Sequence, residues 1–285
     1  MSTLSDFKIH SIESADGTKI GYRTIGAGPG LILVHGALQS SLNFTTLARE
    51  LSAGFTVYIP DRRGRGLSGA YRDTDDILTE AGDVLALARF TNTQFIFGLS
   101  SGAIITLQAA LLEPVFKKIV LYEPPIPLDE HFFKKLDREY ESAMSKGNPG
   151  KAFIAILKGT GDTSFFSKLP YFITTPLVNM LIKAQLKNPK EEELPLQELV
   201  ATFHHDHIVV KSAAGIIDKA KNIRADVLLL GGTKSQHYFT PVLEQLQRAI
   251  PGAKRIELEK LGHLGPDNSG SPEKVAEELR KFFSE

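Results

Sequence analysis

The sequence predicts an α/β fold: a mostly parallel central sheet with helices on both faces and a helical insertion over the sheet at 126–222. Three observations carry this. Leu31-Ile32-Leu33-Val34, Ile119-Val120-Leu121-Tyr122 and Val227-Leu228-Leu229-Leu230 are short, wholly apolar runs, as expected of strands covered on both faces. Helical stretches alternate with them. From 126 to 222 the alternation stops, and Pro and Gly punctuate helical segments with no buried-strand pattern. A connection that long in a compact domain is structured, not an open loop.

In order, residues 8–12 and 19–24 alternate around Ala15-Asp16-Gly17 and predict a hairpin. Leu31–Val34 is the first buried strand and ends at His35-Gly36-Ala37-Leu38. A helix is predicted over 42–51, a strand over 55–59, and a turn-rich loop from Pro60 to Gly69. A helix over 77–90 takes Asp75 or Asp76 as N-cap. Residues 94–97 form the next strand, 103–112 a buried helix and 119–122 another strand, ending in Glu123-Pro124-Pro125. Past the insertion come a strand over 227–230, a helix over 242–250 and a strand over 254–258. A closing helix over 272–283 has Ser271 as N-cap and Pro272 at its first position.

The 285 residues accommodate one large α/β unit, divided as core 1–125, helical insertion 126–222 and core 223–285. Lys+Arg and Asp+Glu balance at 33 each, so no global field attracts nucleic acid or an anionic membrane. With no cysteine, disulfides, thiolate metal sites and a cysteine nucleophile are excluded. The first residues lack a basic stretch followed by an apolar one, and no apolar run nears the roughly 20 residues that span a bilayer. The expectation is a cytoplasmic protein with no membrane partner; the oligomeric state is not encoded legibly.

The chemistry centres on Gly98-Leu99-Ser100-Ser101-Gly102, set between an apolar strand and an apolar helix. In that context G-x-S-x-G marks a tight, strained turn whose middle residue is pushed out beside the positive end of the helix. Ser100 is therefore the candidate nucleophile. A serine hydroxyl needs a base and a group that orients the base. Of eight histidines, His263 is the best base, in a Gly-flanked loop after the last strand; His35 is its rival, in a His-Gly turn where a histidine braces a loop. Glu123, just past a strand's carboxyl end and followed by two prolines, is the candidate acid, with Asp61 and Asp267 in reserve. Backbone N–H groups serve as oxyanion donors: that of Ser101, and that of Ala37 with Leu38 as substitute. His35, Ser100, Glu123 and His263 all follow strands' carboxyl ends, where sites of open α/β sheets lie.

His35-Gly36, Asp61-Arg62-Arg63-Gly64-Arg65-Gly66-Leu67-Ser68-Gly69, Gly98-Leu99-Ser100-Ser101-Gly102 and Gly262-His263, in that order, resemble the α/β-hydrolase superfamily. The resemblance covers nearly all of the chain outside the insertion, which corresponds to the family's cap. It implies Ser100 as nucleophile, His263 as base, and Ala37 and Ser101 as oxyanion donors. The departure is Gly231-Gly232-Thr233-Lys234-Ser235-Gln236-His237-Tyr238-Phe239, which has no carboxylate where an acid is expected. Some members, haloalkane dehalogenases among them, carry the acid after the strand that Ile119–Tyr122 resembles, and Glu123 fits that variant. Those dehalogenases, like epoxide hydrolases, use an aspartate nucleophile, so Ser100 argues against both activities.

The expected function is a cofactor-independent serine hydrolase acting on a small, apolar or aromatic ester, lactone or related carbonyl substrate. The same layout serves hydroxynitrile lyases, C–C bond hydrolases and perhydrolases, and a non-catalytic small-molecule receptor could keep the fold. Gly64-x-Gly66-x-x-Gly69 formally matches a dinucleotide fingerprint, but polar residues follow it instead of a helix. His204-His205-Asp206-His207 reads as a polar stretch of the insertion rather than a metal site. No cofactor or metal is expected. Phe132, Phe133, Phe153, Phe165, Phe166 and Phe172 either line an apolar pocket or form the insertion's own core.

Overall fold

The computed structural model describes residues 4–129, 133–161, 165–190 and 193–285. Its centre is an eight-stranded sheet. Lys8–Glu13 (β1) and Lys19–Ile25 (β2) form the predicted antiparallel hairpin. Gly30–Val34 (β3) is followed by a single 3₁₀ turn over Ser41–Phe44 and then by Thr45–Leu51 (α1). The helix predicted from residue 42 thus begins later, because Asn43 closes a capping box with Ser40 and shapes the turn. Thr56–Pro60 (β4) and Ile77–Thr91 (α2) follow, and Asp76 is the N-cap of α2. Phe95–Leu99 (β5), Ser101–Leu112 (α3) and Lys118–Tyr122 (β6) complete the first part of the sheet.

Between β6 and the next strand the described residues are helical: Lys134–Met144 (α4), Pro149–Gly159 (α5), Phe165–Lys168 (α6), Tyr171–Lys187 (α7), Leu196–Ser212 (α8) and Ile216–Lys219 (α9). Helix α7 runs through Pro176, which the sequence reads as an interruption. Proline there forgoes only the bond to the carbonyl of Phe172, an exposed position where water can take its place. Asp226–Gly232 (β7), Phe239–Ala249 (α10), Lys254–Leu258 (β8) and Pro272–Ser284 (α11) finish the chain. α10 starts before the predicted 242, since Pro241 falls in a first turn that needs no N–H donor. Ser271 stands at the N-cap of α11 but makes no capping hydrogen bond with its side chain.

The strand order is β1-β2-β4-β3-β5-β6-β7-β8. β2 is antiparallel to both neighbours, and the remaining strands are parallel. The buried runs divide with a period of two. Ile32, Val34, Ile96, Ile119, Leu121, Val227 and Leu229 pack with α2, α3 and α10 on one face. Leu31, Leu33, Phe97, Val120, Tyr122, Leu228 and Leu230 pack with α1 and α11 on the other. The register sets Val34 beside Gly98, Leu99 beside Tyr122 and Tyr122 beside Leu230, so the loops after β3, β5, β6 and β7 emerge side by side. The insertion has small cores of its own, one around Leu136, Tyr140, Ile156, Val200 and Phe203 and one around Ile154, Val178 and Ile182. No helix among the described residues is long and apolar enough to cross a membrane.

Candidate active site

Ser100 has φ 56° and ψ −125°, a strained conformation for a residue with a side chain. Its N–H donates to the carbonyl of Tyr122 (2.9 Å), which ties the turn to β6. The flanking glycines are there because backbones nearly touch. A Cβ on Gly98 would lie 2.6 Å from the Gly102 carbonyl, and one on Gly102 would lie 2.4 Å from the carbonyls of both Val34 and His35. α3 starts at the next residue, so Ser101 opens the helix.

Glu123 also has positive φ, 47°, at the end of β6. Its side chain is almost fully buried. Oε1 accepts the N–H of Gly232 (2.7 Å), and Oε2 accepts Nδ1–H of His263 (2.7 Å). The carboxylate can only accept here, so Nδ1 carries the proton and Nε2 is left free as an acceptor. A Cβ on Gly231 would meet Glu123 Oε1 at 3.3 Å and Leu243 at 2.9 Å. The end of β7, where the stretch without a carboxylate begins, is thus the floor on which Glu123 lies: Gly231 leaves the space and Gly232 supplies a donor. The ring of Phe239 stacks on His263 with centroids 4.6 Å apart and planes 11° from parallel. Tyr122 donates its hydroxyl to the Gly262 carbonyl (2.8 Å) and fixes the loop that carries His263. Burial, and secondarily the Glu123 charge, pushes that hydroxyl's pKa up and keeps it a donor.

The other candidates occupy bracing positions. His35 is fully buried; Nδ1 lies 3.0 Å from the Gly36 carbonyl, and Nε2 accepts the N–H of Arg62 (3.2 Å). Burial, with the charges of Arg65 and Arg62, holds its pKa well below the ordinary histidine value, so it is a neutral spacer with no free nitrogen. Asp61 accepts the N–H groups of Ser41 (2.6 Å) and Leu67 (2.9 Å) and closes the Gly64–Gly69 loop. Gly66 makes room for that carboxylate, which a Cβ would meet at 2.4 Å, so the fingerprint-like glycines serve the turn. Asp267 accepts from Gln39 Nε2 (2.7 Å), Asn43 Nδ2 (2.9 Å) and the Ser269 hydroxyl (2.6 Å). Gln39 in turn accepts the N–H of Gly36 (2.9 Å), next to Ala37. Leu38 follows at φ 57°.

Ser100, Ser101, His263, Ala37 and Leu38 line one cavity of about 530 Å³ between the carboxyl ends of the strands and the insertion. Phe133, Phe153, Ile156, Leu157 and Phe203 form its apolar wall. The insertion's phenylalanines therefore divide. Phe133 and Phe153 face the cavity, Phe166 packs with Ile154 and Val178, and Phe172 is exposed. Phe132 lies outside the described residues, and so does the side chain of Phe165. A larger open groove of about 860 Å³ runs along the opposite edge of the sheet, past Phe95, Lys118 and Asp226 at the amino ends of β5, β6 and β7. It is remote from every candidate site residue.

The sequence missed a buried charge cluster behind the elbow. Arg62 grips Glu80 with two hydrogen bonds (2.6 and 2.8 Å), and Arg62 and Arg65 each donate to Asp206 (2.7 Å). Asp206 belongs to the His204–His207 stretch, whose members diverge along α8. His204 pairs with Glu141, His207 pairs with Asp137, and His205 stacks on Tyr71. Among the described residues no three His, Cys, Asp or Glu side chains are grouped to hold a metal ion.

The profile of the alpha/beta hydrolase family matches residues 31–278, a span that runs from β3 through the elbow and the His263 loop into α11. The chain belongs to that family. Among its relatives, the hydrolase YraK of Bacillus subtilis is 30% identical over 144 residues, 46% of this chain and only about half, 53%, of YraK. Lipase 1 of Psychrobacter immobilis is 26% identical over 91% of this chain and 80% of its own length. An α/β hydrolase from Sphaerobacter thermophilus superposes with a TM-score of 0.77 at 25% identity, covering 96% of this chain and all of that one.

Proposed function

We propose that this α/β hydrolase is a cofactor-independent serine hydrolase that cleaves a small ester, lactone or related carbonyl compound through an acyl-enzyme. The observation that carries the reading is the His263–Glu123 hydrogen bond at 2.7 Å, in a loop that opens on the same cavity as the strained Ser100. In this reading Ser100 Oγ attacks the carbonyl carbon while His263 Nε2 takes its proton. Glu123 holds the ring in the tautomer that leaves Nε2 free, and it balances the imidazolium that forms. The N–H groups of Ala37 and Ser101 receive the oxyanion. His263 returns the proton to the leaving alcohol, and water, activated by the same nitrogen, releases the acid.

The apolar wall of Phe133, Phe153 and Phe203 supports an apolar or aromatic acyl group, with residues 126–222 acting as a cap over the cores 1–125 and 223–285. The test is steady-state hydrolysis of 4-nitrophenyl esters from acetate to octanoate. The expected result is turnover that Ser100→Ala abolishes, with kcat/KM rising from acetate into the medium chain lengths. Turnover that survives in Ser100→Ala would overturn the reading.

A further inference from the structure

Asp206 projects from α8 of the insertion into the core, 105 residues in sequence from the elbow it touches. Its Oδ1 accepts the hydroxyl of Ser101 (3.0 Å) and Arg62 Nη1 (2.7 Å). Arg62 Nη1 also donates to Ser101 Oγ (2.9 Å), which closes a triangle on the first residue of α3. Asp206 Oδ2 accepts Arg65 Nη2 (2.7 Å). The other terminal nitrogen of Arg65 donates to the carbonyls of Gly36 (3.1 Å) and Gln39 (3.2 Å), which bracket Ala37 and Leu38. One carboxylate therefore reaches both halves of the proposed oxyanion hole: Ser101 directly, and the Ala37 loop through Arg65.

The cluster is dry. Side chains of Arg62, Glu80, Arg65 and Asp206 are 0–3% exposed, and their formal charges cancel. Burial works against the Asp206 charge, but Arg65, Arg62 and the Ser101 hydroxyl outweigh it and lower the pKa below the ordinary aspartate value. Tyr71 braces the far side, donating to Glu80 (2.5 Å) while stacked on His205 one residue before Asp206. In such a setting each hydrogen bond is strong, and loss of one partner leaves a charge uncompensated.

We infer that Asp206 is a positioning residue for the oxyanion hole, through which the seating of the insertion sets the spacing of the two backbone donors. This rests on the serine-hydrolase reading above. It is tested with wild type, Ser101→Ala, Asp206→Asn and the double variant. The measurements are the rate of phosphonylation of Ser100 by a fluorophosphonate, and kcat and KM on 4-nitrophenyl acetate. The inference expects Asp206→Asn to lower the phosphonylation rate and kcat together by about 10²-fold, the scale of a misplacement near 1 Å, with KM little changed. It expects Ser101→Ala to lower both by a smaller factor, and the double variant to be less impaired than the product of the single effects.

A folded Asp206→Asn with a lower melting temperature but wild-type kcat would show a purely structural role and overturn the inference. Single effects that multiply independently would do the same. Should Asp206→Asn fail to fold, Ser101→Ala decides: wild-type phosphonylation in that variant overturns the inference. A wild-type enzyme that takes up no probe at Ser100 would sink the hydrolase reading and this inference together, whereas a reactive one isolates the inference.

Discussion

In the proposed triad, Glu123 takes the place of a carboxylate after β7. It leaves β6 with φ 47°, and that backbone turn lets its carboxylate lie across the end of the neighbouring strand. Gln at this position keeps an acceptor for the Gly232 N–H but turns an N–H toward His263. Nδ1 would then become the acceptor and Nε2 would carry the proton, the wrong tautomer for a base. Glu123→Gln is therefore expected to lower kcat by a factor on the order of 10²–10⁴ in a protein that still folds. Asp267→Asn, which alters only the bracing of Gln39, Asn43 and Ser269, is expected to cost much less. Steady-state kinetics of the two variants side by side checks the assignment, and the reverse order would reassign the acid. The strained turn at Ser100 and the strand end at Glu123 were legible because each is framed locally, by glycines or by two prolines. Asp206 was not, because its partners Arg62 and Ser101 come from 144 and 105 residues away, and nothing in His204–His207 marks the one side chain that turns inward.

Among the elements, the β5–turn–α3 unit carries the most constraint. Its strand and helix were readable from apolar runs alone, since a segment buried on every side needs no polar residue. The contact between α3 and the end of β3 depends on a glycine whose absent side chain leaves no trace in hydropathy. Gly102→Ala would drive a methyl group against two backbone carbonyls, which cannot move aside as a flexible side chain could. The expected outcome is a loss of about 1–3 kcal/mol in stability or more, measured by chemical denaturation. An alanine variant as stable as wild type would contradict the close approach described here. Where sequence reading slipped, at the starts of α1 and α10 and at Pro176 in α7, the cause was local. Prolines tolerated in a first turn or facing water do not stop a helix, and a polar side chain such as Asn43 can hold a turn apart from the helix it precedes.

Across the whole molecule, parallel strands bring four loops to one edge of the sheet, and the insertion closes over them. The sheet and the run of helices between β6 and β7 were visible in the sequence because alternation and its interruption are long-range patterns that survive errors at single boundaries. The way the insertion seats on the sheet was not, since it depends on ion pairs and ring contacts between distant residues. What the fold achieves is a cavity lined by the strained Ser100, by Ser101 and Ala37, and by His263, whose ring is held from behind by the buried Glu123. The most direct test is the intact and peptide mass of the protein after reaction with a fluorophosphonate. The account predicts one adduct, on Ser100, that forms slowly or not at all in His263→Ala. An adduct on Ser101 or elsewhere, or none where a control serine hydrolase reacts, would contradict it.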